Sequence, residues 1–271
     1  KTKMVIGSAV QRLKNAVIPY SEPRGKSLVV VGAQWGDEGK GKVVDLLARH
    51  ARVVVRYQGG NNSGHTLVVH GSDGSIIYQN THHPIPSGVL NPKAGIVIGP
   101  CVALNAEAFD EEETSLPDSI SLEDRLYIDH KTQLVTPLHI EEDIKTEKSG
   151  NGVGSTRRGI SPFYQDLVGR RGVSIGNFIN HPQLARSQLR KQVLHWQYSG
   201  CTQEVLALAD EEISQKVNDV FNYLQEHVSK ISAKITDTSL LINKTLDEGG
   251  DVLNEGAQAT LLDIIHGTYP Y

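Results

Sequence analysis

A glycine-rich loop that also carries charged residues is the first segment of this 271-residue chain with a chemical pattern. It reads Gly32-Ala-Gln-Trp-Gly-Asp-Glu-Gly-Lys-Gly-Lys42 and satisfies G-x-x-x-x-G-K, with Val43 where a phosphate-binding loop normally has Ser or Thr. Glycines can turn their backbone N–H groups onto phosphate oxygens, and the two lysines add positive charge. The loop therefore predicts phosphate binding without the usual metal-binding hydroxyl.

Asp37 is unexpected in a loop that binds anions, because its carboxylate repels phosphate. A carboxylate is tolerated there if it binds Mg²⁺ or accepts a proton during the reaction. We expect Asp37 to have one or both of these roles. The alternative is an ordinary glycine-rich turn with solvated charges, but the position of the loop after a strand and before a helix favours phosphate binding.

A second polar cluster reads Arg56-Tyr-Gln-Gly-Gly-Asn-Asn-Ser-Gly-His-Thr66. Asn61 and Asn62 offer amide groups to a heterocycle, and Gly64 allows close backbone approach. His65 is placed to donate to a developing oxyanion, although a lone histidine is as often a capped or surface residue. Because the cluster follows a predicted strand, we expect it at the carboxyl edge of a sheet, where ligands bind in open α/β folds.

The surrounding elements predict an α/β protein with a mostly parallel central sheet, a phosphate-binding loop after the first strand, surrounding helices and a helical subdomain. Residues 27–32 form a β-branched run that predicts a buried strand, and residues 43–50 have helical composition. Further strands are predicted at 53–57, 67–69, 76–78, 95–99, 126–129 and 251–254, and helices at 181–198, 202–231 and 240–248. The acidic segments 110–114 and 141–148 are predicted as solvated surface.

The composition argues against a strongly cationic nucleic-acid-binding protein, a membrane-spanning chain and a fold held by disulfides or zinc. The 27 Lys and Arg against 31 Asp and Glu give a formal charge of −4, which offers no global cationic field for nucleic acid. Nothing approaches the ~18 apolar residues of a membrane span. Cys101 and Cys201 lie far apart, so they form neither a disulfide framework nor a zinc knuckle. We expect a soluble cytoplasmic protein, and the basic extension 1–26 leaves organelle targeting open.

The two motifs, at 32–42 and 55–66, resemble those of adenylosuccinate synthetases. Later segments agree in the same order: His83-Pro-Ile-Pro-Ser-Gly88, Gly154-Ser-Thr-Arg-Arg-Gly-Ile-Ser-Pro162, Arg170-Arg-Gly172, and the segment from Glu255 to Tyr271. The resemblance runs from about residue 27 to the last residue. It implies a GTP-dependent ligase of purine biosynthesis that couples IMP with L-aspartate, through phosphorylation of the purine 6-oxygen.

The resemblance also implies roles for individual residues. Asp37 would be the base that takes the purine N1 proton and a ligand of Mg²⁺, Gly64 would offer its carbonyl to the same metal, and His65 would stabilise the transferring phosphoryl group. GTP would be bound by Gly36, Asp37, Glu38, Gly39, Lys40, Gly41, Lys42, Gly64, His65 and Thr66. IMP would be bound by Asp37, Glu38, Gly39, Lys40, Asn62, Ser63, Gly64, His65, Thr156, Arg170 and Gln258. Arg170 would reach the partner's site, which implies a homodimer. Phage-type homologues that use another purine nucleotide typically lack the loop aspartate, so Asp37 favours IMP.

Four residues depart from the family pattern. Arg157, Ser161 and Ala259 replace the usual glycines, and such side chains crowd the substrate or force a strained φ. Ile265 stands where an acidic residue is common.

The resemblance further implies a domain over residues 27–271 that is truncated at its C-terminal end, because the family continues into the aspartate loop and the guanine-recognising segment. Three interpretations follow. The chain is a fragment of an active synthetase, which we favour, or a short nucleotide- or IMP-binding homologue without turnover. The third, a phosphate-loop kinase or GTPase, does not explain residues 255–271.

A metal site could be considered at three histidines, His65, His82 and His83. Adjacent side chains on an extended segment point to opposite faces, so His82 and His83 are poorly placed to share one ion. We expect His83 beside the nucleotide pocket and His82 in solvent.

Overall fold

A computed structural model describes residues 24–150, 152–198 and 209–269, so the predicted extension lies almost wholly outside the described residues. The strands in chain order are β1 (Ser27–Gly32), β2 (Val53–Gly60), β3 (His65–His70), β4 (Ile76–His82), β5 (Gly95–Leu104), β6 (Leu126–Asp129), β7 (Gln133–Leu134), β8 (Ile235–Thr236) and β9 (Val252–Ala259). Seven of them form one parallel sheet in the order β1-β9-β2-β5-β6-β8, with β7 paired to β5. β3 and β4 form a separate antiparallel hairpin.

Helices surround this sheet. They are α1 (Lys40–Ala48), α2 (Ala106–Thr114), α3 (Pro137–Lys148), α4 (Ile160–Val168), α5 (Ile175–Asn180), α6 (Pro182–Tyr198), α7 (Asp210–Ile231) and α8 (Thr238–Asp247). Single 3₁₀ turns occur at Ser87–Leu90, Ser232–Lys234 and Thr260–Leu262. In the described part of the chain, none of the helices has the length and hydropathy needed to cross a bilayer.

One large hydrophobic core lies against one face of the sheet. Apolar residues of α7 at Ile213, Val217, Val220, Leu224 and Val228 are buried in it together with strand residues and α1. The long helices therefore pack on the same core as the sheet. The opposite face has a smaller cluster, in which Leu241, Ile242 and Leu246 of α8 cover four valines of the sheet. Covered faces are what a parallel sheet requires.

The predicted α/β class and the positions of the main strands are confirmed, while four local predictions were wrong. β1, predicted as a buried strand, lies at the edge of the sheet, and its Val29 and Val31 are 52% and 61% exposed. Helix α1 begins at Lys40 and not at residue 43, so both lysines of the glycine loop, Lys40 and Lys42, belong to its first turn.

Segments 110–114 and 141–148, predicted as solvated surface, lie within α2 and α3, and all but one residue in each segment is exposed or half-buried, so the prediction fails at one residue in each. Glu112 and Asp143 in them are buried, because their carboxylates accept hydrogen bonds from neighbouring chain segments.

The topology brings distant motifs to one edge of the sheet. β9 pairs with both β1 and β2, although it lies near the end of the chain. Adjacent strands are spaced about 4.8 Å apart, so the ends of β1 and β2 lie about 10 Å apart with the end of β9 between them. The loops that follow these three strands therefore lie side by side.

Candidate functional site

The loop after β1 makes a tight turn into α1. Gly36 and Gly39 have φ values of 101° and 82°, and Gly39 is the N-cap of the helix. Asp37 between them has φ 58°, which costs a non-glycine residue roughly 1–2 kcal/mol. The exposed Asp37 carboxylate thus sits on a strained turn just before the helix N-terminus.

Glu38 and Lys40 form a local ion pair inside this loop. Glu38 Oε1 accepts a hydrogen bond of 2.7 Å from the backbone N–H of Gln34, and Oε2 lies 3.7 Å from Lys40 Nζ. The Gln34 N–H, followed by weaker contributions that include Lys40, lowers the pKa of Glu38. Lys40 is only 7% exposed, so its charge is directed into the loop and not into solvent.

His65 packs directly on the first turn of α1. A Cβ atom added to Gly41 would lie 2.8 Å from His65 Cβ and 2.9 Å from Ser87 Oγ, so the helix can approach the histidine only with glycine here. His65 Nδ1 hydrogen-bonds to Glu255 Oε1, and Ser87 Oγ lies 3.2 Å from the same nitrogen. Nε2 is buried and has no hydrogen-bond partner in the described residues.

Glu255 holds this arrangement from the middle of β9. Its carboxylate accepts hydrogen bonds from Ser87 N–H (2.9 Å) and Ser87 Oγ (2.5 Å), and Oε2 lies 3.9 Å from Arg56 Nη1. Glu255 and Arg56 are both fully buried. Burial alone raises the pKa of Glu255, but the hydrogen bond from His65 and the charges of Arg56 and His65 outweigh it, so the pKa is lowered. The carboxylate therefore orients the imidazole and offsets a positive charge on it.

Sequence reasoning did not assign a role to Glu255, Arg56 or Ser87. The available signal was a charge inside an apolar strand: Arg56 ends a run of three valines, and Glu255 follows Val252-Leu-Asn. Charged side chains are almost never fully buried unless they are paired. Arg56 lies in the predicted strand 53–57, and Glu255 directly follows the predicted strand 251–254, so the two charges could have been paired on that ground alone.

Arg56 also fixes the loop after β2. Its Nη2 donates to Ser63 Oγ (2.7 Å) and to the Ser63 carbonyl (3.3 Å). Asn62, Gly64 and Thr66 beside it are exposed. A Cβ on Gly64 would lie 2.5 Å from Thr81 Cγ2, so only glycine fits. The guanidinium thus holds the backbone of the loop that carries the exposed Asn62 and Gly64.

The segment after β9 forms hydrogen bonds with the backbone of the glycine loop. Thr260 Oγ1 donates to the Gly32 carbonyl (2.8 Å), and Leu261 N–H donates to the Gln34 carbonyl (2.9 Å). Gln258, just before them, is exposed. The structure therefore brings together the predicted residues of the loops after β1, β2 and β9.

Two predicted residues lie on other elements. Thr156 is in the loop between α3 and α4, next to Arg158, which lines a cavity of about 220 Å³ together with Asn61 and His83. Arg170 is in an exposed turn after α4, and no hydrogen bond or ion pair within the described ranges joins it to the three loops. The proposed reach of Arg170 into a partner subunit stays a prediction.

Backbone strain distinguishes the residues that depart from the family pattern. Arg157 has φ 57°, as expected for a side chain in a glycine position. Ser161 lies exposed on α4, and Ala259 is buried at the end of β9 with φ −118°, so neither is strained. Within the described residues, the non-glycine positions with positive φ are Asp37, Arg157 and Arg170. All three had been singled out in the sequence, and strain of this kind clusters at functional sites.

The expectation for His82 was wrong. It is buried, and its ring nitrogens contact Glu112 Oε1 (3.1 Å) and the Tyr78 hydroxyl (2.8 Å). As the last residue of β4 it faces α2, where Glu112 accepts from it and from the His83 N–H. His83 lies beside the cavity, half-buried, and burial lowers its pKa.

A parallel sheet, a glycine loop that enters a helix and a carboxylate-held histidine beside that helix are features typical of α/β proteins that bind phosphate groups. The family model of adenylosuccinate synthetase matches residues 29–271, more than half of the chain. The chain belongs to this family.

The chain is also similar to individual adenylosuccinate synthetases in sequence and in structure. The adenylosuccinate synthetase of Shewanella loihica is 40% identical over 254 residues, and adenylosuccinate synthetase 1 of Pseudoalteromonas translucida is 42% identical over 250. Each alignment covers 91% of this chain, but 55% and 54% of the relative. The fully ligated adenylosuccinate synthetase of Plasmodium falciparum superposes with a TM-score of 0.72 at 32% identity, over 91% of this chain and 55% of that one.

A further solved structure, the succinoaminodeoxyadenylate synthetase of cyanophage S-2L, has a TM-score of 0.51 at 21% identity, over 92% of this chain and 55% of that one, which supports the fold alone. The chain therefore spans about half the length of the relatives that it matches.

Proposed function

We propose that this chain carries the phosphate- and purine-binding part of an enzyme that ligates IMP and L-aspartate into adenylosuccinate, with GTP converted to GDP and phosphate. The observation that carries the proposal is His65, which buried Glu255 holds against the first turn of α1, the helix that follows the loop with the strained, exposed Asp37. Such a pair offers a base and a positioned donor at one helix N-terminus.

The reaction uses these groups in order. Asp37 takes the proton from purine N1, which makes the 6-oxygen a better nucleophile. That oxygen attacks the γ-phosphorus of GTP and the bond to the β-phosphate oxygen breaks. His65 donates toward the charge that spreads over the transferring oxygens. The aspartate amine then attacks C6, the bond from C6 to the phosphorylated oxygen breaks, phosphate leaves and the amine nitrogen loses a proton to water.

Mg²⁺ fits the donor set. Asp37 and the Gly64 carbonyl supply hard oxygen atoms, and both residues are exposed. Among the described residues no cluster of three or more His, Cys, Asp or Glu side chains forms a metal cage. Mg²⁺ in phosphoryl-transfer sites needs only one or two carboxylates, because substrate phosphates and water complete its shell. The metal would neutralise phosphate charge, and Asp37 would hold it.

Most of the other proposed ligand contacts come from residues in or beside the loops after β1, β2 and β9. Phosphates of GTP would lie on the backbone and lysines of residues 36–42 and on Gly64, His65 and Thr66. The purine monophosphate would contact Asn62, Ser63, Thr156 and Gln258, and Arg170 would come from the partner of a homodimer.

Calorimetry tests the binding half of this proposal, with IMP and with GTP plus Mg²⁺. We expect both ligands to bind, GTP with an affinity that falls in Asp37→Ala, and a total failure to bind either ligand would overturn the proposal. Turnover is tested by succinyl-purine formation from IMP, GTP and aspartate, with Asp37→Ala and His65→Ala as controls. Full turnover by Asp37→Ala would show that its assignment as base is wrong.

A further inference from the structure

One buried carboxylate ties down both ends of the loop that carries Thr156. Asp143 on α3 is 4% exposed. Its Oδ1 accepts a hydrogen bond of 2.6 Å from Ser155 Oγ, and its Oδ2 accepts one of 2.8 Å from the backbone N–H of Gly159. The residues between these two anchors, 156–158, are exposed.

Other contacts keep the loop on α3. Glu147, one turn further along the same helix, accepts a 3.0 Å hydrogen bond from the Ser155 N–H. Gly159 has φ 75°, and a Cβ added to it would lie 2.9 Å from the backbone of His139 and Ile140. The loop therefore leaves α3 and returns to it within a few residues, with no room for a side chain at its second anchor.

The apex of this loop is strained and lies beside a cavity that residues of the loop after β2 also line. Arg157 has φ 57°, and its N–H donates to Ser155 Oγ (3.1 Å). A non-glycine residue keeps such a conformation only where its surroundings determine it. Arg158 lines the same cavity as Asn61 and His83, next to the loop after β2. Carboxylates accept three of these hydrogen bonds, and hydrogen bonds to carboxylates are stronger than those to neutral acceptors. Asp143 makes two of the three and joins both ends of the loop, while Glu147 holds only the Ser155 end.

We propose that Asp143 is the positioning residue of the 156–158 loop, and that it orders Thr156 and Arg158 in advance for the phosphate group of a purine monophosphate. This inference rests on the proposed function. Asp143 lies beneath the loop and acts through it. Ordering the loop before binding removes an entropic cost that the ligand would otherwise meet.

The test compares Asp143→Asn and Ser155→Ala with the control Glu141→Gln. The amide side chain of the Asp143→Asn variant keeps one acceptor oxygen and so loses one anchor. The Ser155→Ala variant loses its anchor and the contact with the Arg157 N–H, and leaves the buried carboxylate in place. Glu141 is on the same helix but is exposed and pairs with Lys216 Nζ at 2.8 Å. Loop order is read from trypsin cleavage after Arg157 and Arg158, mapped by mass spectrometry and normalised to cleavage after exposed Lys93.

Loss of one charge-assisted hydrogen bond is expected to raise relative cleavage at the loop about tenfold and to raise the Kd for IMP about tenfold in both variants. The Kd for GTP with Mg²⁺ and the control variant should not change. Unchanged cleavage in both variants, or faster cleavage with an unchanged Kd for IMP, would overturn the inference.

Two further outcomes distinguish a failure of the proposed role of Asp143 from an unfolded variant and from a wrong assignment of IMP as the ligand. If Asp143→Asn also loses GTP binding and is cleaved faster after Lys93, it has lost its fold, and Ser155→Ala alone then decides. If the unaltered chain binds GTP but not IMP while cleavage still responds, the IMP assignment is wrong and the ordering of the loop by Asp143 stands on the cleavage result.

Discussion

His65 and Glu255, 190 residues apart in sequence, form a buried hydrogen bond that joins the first residue of β3 to the middle of β9. Glu255 is also the register partner of Arg56, because β9 lies beside β2. Arg56 Nη1 lies 3.3 Å from His65 Nδ1 and 3.9 Å from Glu255 Oε2, so the imidazole, the carboxylate and the guanidinium form one buried cluster. The sheet order places this cluster between the glycine loop and the loop after β2.

Glu255→Gln should lower the free energy of unfolding by about 3 kcal/mol, because it leaves the fully buried Arg56 without its counter-charge. Urea denaturation followed by circular dichroism measures this. The matched control is Glu248→Gln, which removes an exposed partner of Arg52 at 2.7 Å and should cost less than about 1 kcal/mol. Equal effects of the two variants would show that the buried ion pair has no special role in stability.

Stability should fall in acid through two buried carboxylates. For Glu255 and Asp166, burial raises the pKa, but hydrogen bonds from His65 and from His139 and Arg171 outweigh it and leave each pKa lowered. A lowered folded pKa stabilises the fold fully above the ordinary values of 4.5 and 3.8, and this stabilisation is lost as pH falls through the folded values.

The measurement for this second prediction is the free energy of unfolding from pH 7 to roughly pH 3. We expect a plateau above about pH 5 and a decline below it, and a shallower decline in Asp166→Asn. A profile that stays flat down to pH 3 would contradict the assignment.

The sequence was enough to predict the glycine loop, its strand and the location of the second polar cluster, because each depends on neighbours within a few residues. It was not enough for Glu255, because the insertion of β9 between β1 and β2 is a long-range pairing that no local pattern encodes. The helices that contain Glu112 and Asp143 were missed for a related reason. Their acidic residues look solvated in sequence, and only the fold supplies the backbone donors that bury them.

Two glycines of the phosphate loop should respond differently to alanine. Gly41→Ala places a methyl group within 2.8 Å of His65 and should weaken binding of GTP with Mg²⁺ about tenfold or more, because it displaces the histidine or the helix. Gly39→Ala meets no atom within 4 Å but has φ 82°, so it should cost about 1 kcal/mol of stability through backbone strain. Calorimetry with GTP and urea denaturation separate the two effects. Normal GTP affinity in Gly41→Ala would show that close approach of α1 to His65 is unimportant.

Arg157→Gly and Arg158→Gly should change stability in opposite directions, although both remove one exposed cation from the same loop. Arg157 has φ 57°, so glycine relieves strain of roughly 1–2 kcal/mol, while the extra freedom of glycine in the unfolded chain returns 0.4–1 kcal/mol as a rough estimate. The net expectation is a gain of about 0.5–1 kcal/mol. Arg158 is not in the left-handed region, so its replacement brings only the entropic loss of about 0.5–1 kcal/mol. Thermal and urea unfolding of the two variants measure the difference, and a loss of stability in Arg157→Gly equal to that in Arg158→Gly would mean that Arg157 stores no strain.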